Sequence, residues 1–315
     1  MSKFVIIPDS SCDLSADLRE RFNIPDYLHG VIYYPDGKQG YSDLDWKDMT
    51  PEEYYNSMKG KKVLYKTATP EKKEVLEVFE KYLKDGIDVL SISLSTALSG
   101  TYDICKGAAD ELLKKYPDRK IICIDSLRYS TALSLITIEA CKKRDEGLSI
   151  DETAKYIEEY KHTIHQMGPM DDLFFLVKTG RISNFKAFFG SLVGVNPMAD
   201  FNEKGLAEVL EKFKGKKDAF AATVEYLKQT VVNPEEQLIF IAHSNRAEQA
   251  KVLADMVKEA VNPKEIIINP VGMSCGASIG PGLCAVFYHG NAISKDMATE
   301  KEIMAKIAEN IKNKK

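Results

Sequence analysis

Hydroxyl side chains placed ahead of helix starts are the groups in this sequence best suited to chemistry, and they occur twice. KTATP (66–70) sets Thr67 and Thr69 before Pro70, which fits a first helical turn because its missing N–H needs no partner there. SLSTALSGTY (93–102) sets Ser95, Thr96 and Ser99 before Gly100 and the run TYDICKGAADELLKKY. Brought side by side, two such helix starts would aim free N–H groups, partial positive charge and hydroxyl donors at one anion. Thr69 and Ser99 also fit the plainer role of N-caps.

Other reactive patterns carry less. The sequence has no phosphate-binding P-loop, no GxGxxG after a strand, no HExxH and no calcium loop. His162 and His165 in HTIH stand one turn apart on an expected helix, but no third metal ligand accompanies them. GASIG (276–280) matches the GxSxG nucleophile pattern. Its context is wrong, because Ser278 is followed by Ile279, Gly280, Pro281 and Gly282 and then a strand-like run, and no histidine follows Asp296. Four glycines between 272 and 282 instead read as a tight loop, closing a ligand pocket or simply making a turn.

The elements that must hold these groups follow from the apolar pattern. Short apolar runs at 4–7, 89–94 and 121–124 alternate with helical spacing, as in a parallel sheet with crossover helices. Thr50 with Glu53, and Ser149 with Glu152, are capping boxes, the second opening a helix expected to reach about His165. HGVIYYPDGKQGYSD reads as a hairpin turned at Asp36 and Gly37. Beyond Gly168 and Pro169 we expect strands at 173–177, 238–243, 266–271 and 283–290, a hairpin turned at 202–205, and a charged helix from about Ser294. The fold class is therefore α/β in two domains, 1–167 with a parallel sheet and 168–315 with a mixed sheet and the glycine-rich loop.

Composition bounds the function. With 315 residues, 44% hydrophobic and 29% charged, the chain suits a globular protein, and its net charge of −4 argues against a nucleic-acid partner. No run reaches the apolar length of a bilayer span, and the apolar stretch at 4–7 is too short for a secretory signal. Six scattered cysteines without CxxC point to free thiols and a cytoplasmic location.

Together, DSSCDLS (9–15), TATP (67–70) where TSQPS is usual, STALSGTY (95–102), IDS (124–126), LVKTGRIS (176–183), IAHSN (241–245) and GPG (280–282) resemble the DegV family. These are bacterial fatty-acid-binding proteins that include the FakB subunits of fatty acid kinase. The resemblance implies a buried tunnel between the two domains for one long-chain fatty acid, with no cofactor. It places the carboxylate on Thr67 and Ser99, with Ser95 and Thr96 nearby. A separate ATP-dependent kinase subunit would phosphorylate the bound acid to an acyl phosphate for phospholipid synthesis, the carrier itself being non-catalytic.

Three departures stand out. Ser278 replaces the usual histidine of HxGPG, Ala68 replaces a serine of TSQPS, and Thr179 replaces the first glycine of a GGR pattern at Gly180 and Arg181. Ser278 joins the head-group candidates, with His243 as the competing source of charge. Gly100, Arg181, His243, Gly280 and Gly282 are expected to support the site or meet a partner. Two other classes compete: a substrate domain like that of dihydroxyacetone kinase, and a regulatory interaction module.

Overall fold

The structure is a computed structural model that describes residues 3–61, 63–171, 173–183 and 195–314. In chain order its elements begin β1 (Phe4–Pro8), α1 (Ala16–Arg21), β2 (Val31–Tyr33), β3 (Gln39–Tyr41), α2 (Pro51–Ser57), β4 (Lys66–Ala68) and α3 (Lys72–Lys84). Then come β5 (Asp88–Ser93), α4 (Thr101–Lys115), β6 (Ile121–Asp125), α5 (Thr131–Asp145), α6 (Ile150–Tyr160), β7 (Ile164–Met167), α7 (Phe174–Thr179) and β8 (Ile182–Ser183). The remainder is β9 (Val195–Phe201), β10 (Ala207–Lys214), α8 (Lys216–Thr230), β11 (Leu238–His243), α9 (Ala247–Val261), β12 (Glu265–Pro270), α10 (Met273–Ile279), β13 (Cys284–His289) and α11 (Ala298–Asn313).

The chain divides into two compact units. The first holds Met1–Met49, Val63–Lys161 and Gly272–Cys275; the second holds Thr50–Lys62, His162–Val271 and Gly276–Lys315. β7, on the N-terminal side of the expected 167–168 break, pairs with β13 and so belongs to the second unit.

In the first unit β5 lies between β1 and β6, all parallel, and every residue of β1 and β5 is buried. That burial on both faces explains the continuous apolar runs. α3 presents Val75, Phe79, Tyr82 and Leu83, and α4 presents Cys105, Ala108 and Leu112, to a core shared with Val5, Ile7 and Val89. A separate antiparallel sheet has β2 between β3 and β4.

In the second unit the sheet order is β12-β11-β13-β7, with β11 and β12 parallel and β13 antiparallel to both its neighbours. The β9–β10 hairpin turns at Asn202, whose backbone N–H reaches Leu206, as its sequence predicts. Its core gathers Phe213, Phe220, Ile239, Ile241, Leu253, Val286 and Ile307.

Three expectations change. LFFLV is a helix, α7, closed by Gly180 at φ 71° and by the Thr179 hydroxyl donating to the Phe175 carbonyl at 2.9 Å; a short apolar run does not distinguish strand from buried helix. α6 stops at Tyr160, so His162 falls in a 3₁₀ turn and His165 in β7, and the HTIH pair shares no helical face. The glycine run contains α10, so its first half is helix, not loop. The capping boxes at Thr50 and Ser149 form as the sequence predicts.

Candidate functional site

The site in the first unit is built at the carboxyl ends of β1 and β5, where open α/β sheets present ligand-binding loops. Asp9 follows β1 and caps the turn Ser10–Cys12. Its carboxylate accepts the amides of Ser11 and Leu94, each at 2.8 Å, and the Ser11 hydroxyl, tying the loop after β1 to the loop after β5. Burial raises its pKa against the lowering effect of these bonds. Ser10 donates its amide to the Leu28 carbonyl at 2.8 Å, and its Oγ accepts the Gly30 amide at 2.9 Å.

Thr67 sits on β4 opposite Ile32, half-buried, its hydroxyl making no hydrogen bond among the described residues. Thr69 does not cap α3; the cap position falls to Glu71, which forms no side-chain cap bond. Instead Thr69 meets the other hydroxyl segment: a Cβ on Gly100 would stand 3.8 Å from Thr69 Cγ2. Gly100 holds the cap position of α4, and Ser99, half-buried, accepts the Thr101 amide at 3.3 Å with its Oγ 3.0 Å from Thr101 Oγ1. The first α4 amide to reach back is that of Ile104, to Gly100, so the N–H groups of Tyr102 and Asp103 precede the helical ladder.

The two remaining hydroxyls differ. Ser95 is fully buried and its Oγ accepts the Ala97 amide at 3.2 Å. Thr96 is exposed and donates to Asp125 Oδ2 at 2.5 Å, while its amide reaches Oδ1 at 3.2 Å. Thr96 is thus committed to Asp125, whereas the Thr67 hydroxyl makes no bond among the described residues and the hydroxyls of Ser99 and Thr101 share one contact in which either can donate.

Asp13 is the strongly perturbed group here. It takes the left-handed conformation at φ 54°, accepts the Ser130 hydroxyl at Oδ2, and burial pushes its pKa up to about 7. Its other carboxylate oxygen, Oδ1, stands where a Cβ on Gly272 would have to go.

The other sequence-predicted residues lie in the second unit. Ser278 is half-buried near the end of α10, which is not the strand-to-helix elbow of a hydrolase nucleophile. Gly280, at φ 70°, has the Phe175 ring where a side chain would stand, and Gly282, at φ 115°, has Asp171 there instead. The Gly282 amide donates to the Ser244 carbonyl at 2.8 Å. Asp171 in turn pairs with Arg246 and lies 3.4 Å from Lys216. His243 ends β11, accepts the Arg246 amide at 3.4 Å, and is held below its ordinary pKa by burial. Arg181 folds over the end of α7, its amide on the Leu176 carbonyl at 2.9 Å and its guanidinium on the Thr179 carbonyl. The sequence gives no role to Asp171, and Asp125 enters only as part of IDS; DSSCDLS carries the signal for the capping role of Asp9.

A family model described as uncharacterised proteins of the DegV family matches residues 3–291. The chain belongs to the DegV family. A DegV domain-containing protein of Clostridium perfringens is 36% identical over 291 residues, covering 92% of this chain and 99% of that relative. Among solved DegV structures, a fatty-acid-binding member from Thermus thermophilus superposes with a TM-score of 0.82 at 21% identity, covering 92% of this chain and 100% of that one. The fatty-acid-binding DegV protein of Streptococcus agalactiae does so at 0.77 and 25% identity, covering 91% and 98%. A stearic-acid-binding protein of Eubacterium ventriosum does so at 0.80 and 20% identity, covering 91% and 98%. Among the described residues no helix is long and apolar enough to cross a membrane.

Proposed function

We propose that this DegV member binds a long-chain fatty acid, holds its carboxylate with Thr67 and Ser99, and presents it to a separate ATP-dependent kinase subunit. The observation that carries the reading is the meeting of Thr69 with Gly100, which sets the TATP strand end beside the start of α4. On this reading the hydroxyls of Thr67 and Ser99 and the first N–H groups of α4 serve the acceptor sites of one carboxylate. The DegV relatives that bind fatty acids share the fold and support the same ligand class. In the coupled step a carboxylate oxygen takes the γ-phosphoryl group of ATP, giving acyl phosphate and ADP; ATP would belong to the partner.

Native mass spectrometry and organic extraction of protein purified from a bacterial host test the first part. A retained fatty acid, or uptake of oleate or palmitate in titration, is expected, and well-folded protein that does neither refutes it. ADP release from a fatty acid kinase subunit, dependent on the loaded chain, tests the second part separately.

A further inference from the structure

His165 on β7 is fully buried, yet both of its ring nitrogens face oxygen atoms. Nδ1 lies 2.6 Å from Asp200 Oδ2 on β9, and Nε2 lies 2.8 Å from the Asn291 carbonyl just beyond β13. A carbonyl oxygen can only accept. Asp200 is an acceptor as well: its Oδ1 takes the amides of Gln166 and Phe201 at 2.9 and 2.7 Å, and its Oδ2 takes the Tyr226 hydroxyl at 2.8 Å. Burial, helped by the Asp200 charge, pushes the Tyr226 hydroxyl well above its ordinary range, so that proton stays on the tyrosine. With three donors from other residues the carboxylate is ionised, and a neutral imidazole has one N–H to offer two acceptors. Either neutral tautomer would set a ring lone pair against an oxygen.

The surroundings favour the charged ring. Tyr288 on β13 stacks on it, centroids 5.4 Å apart and planes 11° from parallel, and Tyr226 on α8 meets it edge-on at 6.3 Å. Glu300 on α11, buried, acts on both tyrosines and adds negative charge to the same interior. Asp200, Glu300, Tyr226 and Tyr288 are thus the titratable groups that β9, α11, α8 and β13 bring to the ring, and none of these four is a cation.

We propose that His165 stays an imidazolium through neutral pH and latches the chain ahead of α11, the latch opening when alkali removes one of its two ring protons. The Asn291 carbonyl it holds belongs to a short run whose amides are also tied down, Asn291 to the Thr230 carbonyl at 2.8 Å and Ile293 to the His162 carbonyl at 2.9 Å. Gly290 permits this approach, because a Cβ there would stand 2.8 Å from His165 Cδ2 and 2.5 Å from the Thr230 carbonyl oxygen. The remaining N–H stays with the charged partner, Asp200, so the bond that breaks is the one to Asn291. Folding takes up a proton at any pH where the unfolded imidazole, titrating at about 6.5, is neutral. The stabilisation is therefore fully present on the acid side of that value and is lost as pH rises through the titration of the folded ring.

Long-range proton–nitrogen NMR spectra of protein with isotope-labelled histidine read the protons on each ring nitrogen, and contacts to the Tyr288 ring assign His165 without a variant. At about pH 8, where a solvent-facing imidazole is neutral, His165 is expected to keep two protonated nitrogens. At higher pH, loss of one proton should coincide with a fall of roughly tenfold or more in the hydrogen-exchange protection of the Asn291 and Ile293 amides, corrected for intrinsic rate. In His165→Gln those amides should show no such step. If that variant does not fold, the wild-type spectra and exchange decide alone. A single protonated nitrogen in wild type at about pH 8 overturns the charged ring. A ring that titrates while both amides keep their protection overturns the latch, as does the same alkaline step in His165→Gln.

Discussion

Asp13 and Gly272 contend for one volume: a Cβ on residue 272 would fall on Asp13 Oδ1. Gly272→Ala must displace a buried carboxylate that also holds Ser130. The expected cost is about 1–3 kcal/mol, as for an overpacked core. Urea unfolding checks it, and an unchanged midpoint would show that the loop yields freely.

The charge state of Asp13 gives a pH dependence with a definite sign. Burial raises its pKa from 3.8 to about 7, so between those values the folded chain binds more protons than the unfolded one. Its contribution is fully present on the acid side, declines as pH rises toward about 7, and is level above that. Asp9, also raised by burial, acts in the same sense. Asp13→Asn has no proton to release, so wild type should lose stability relative to the variant between pH 5 and pH 8. A difference between the two proteins that is constant over that range would exclude the assignment.

Thr67→Ala and Ser99→Ala separate binding from folding. Each should weaken fatty acid binding by roughly 1.5–3 kcal/mol, and the double variant by less than the sum, because both address one carboxylate. Only Ser99 also accepts a helix amide, so Ser99→Ala should in addition lower stability by about 1 kcal/mol. Isothermal titration with thermal melts reads both quantities, and undiminished affinity in the double variant would move the head group elsewhere.

The second unit has its own vulnerable point. His165 Nδ1 lies 2.6 Å from Asp200 Oδ2 and its Nε2 lies 2.8 Å from the Asn291 carbonyl, both side chains fully buried. Asp200 also accepts the Tyr226 hydroxyl at 2.8 Å and the amides of Gln166 and Phe201 at 2.9 and 2.7 Å. Asp200→Ala leaves several buried donors without an acceptor, and a loss of roughly 3–5 kcal/mol is expected. A melting temperature within a degree or two of wild type would contradict this.

The parts of the fold legible in the sequence are those where one local signal sufficed. β1, β5 and β11 announce themselves as buried apolar runs, and Thr50 with Glu53 as a cap. β4 was not legible because KTA has no apolar run and is a strand only through its pairing with β2. α10 was hidden by its glycines; Gly276 is needed there because a Cβ would come within 3.0 Å of Tyr54 Cε1 and closer still to the Tyr55 hydroxyl. At the site, the hydroxyls of Thr67 and Ser99 were readable from their segments. The commitment of Thr96 to Asp125 and the close packing of Gly30 against Ser10 and Ala68 were not, since both depend on residues distant in sequence.

The short return of Gly272–Cys275 to the first unit bears on how the protein is made. Gly272–Cys275, in which the Cys275 thiol reaches the Ser11 carbonyl at 3.5 Å, complete a unit whose other residues all precede position 162. During synthesis the parallel sheet can emerge from the ribosome long before its last piece does, and the intervening chain must be threaded out while the loop after β1 waits uncovered. A nascent chain stalled between those points is expected to bind chaperones and resist native-like protease protection until residue 275 has cleared the exit tunnel.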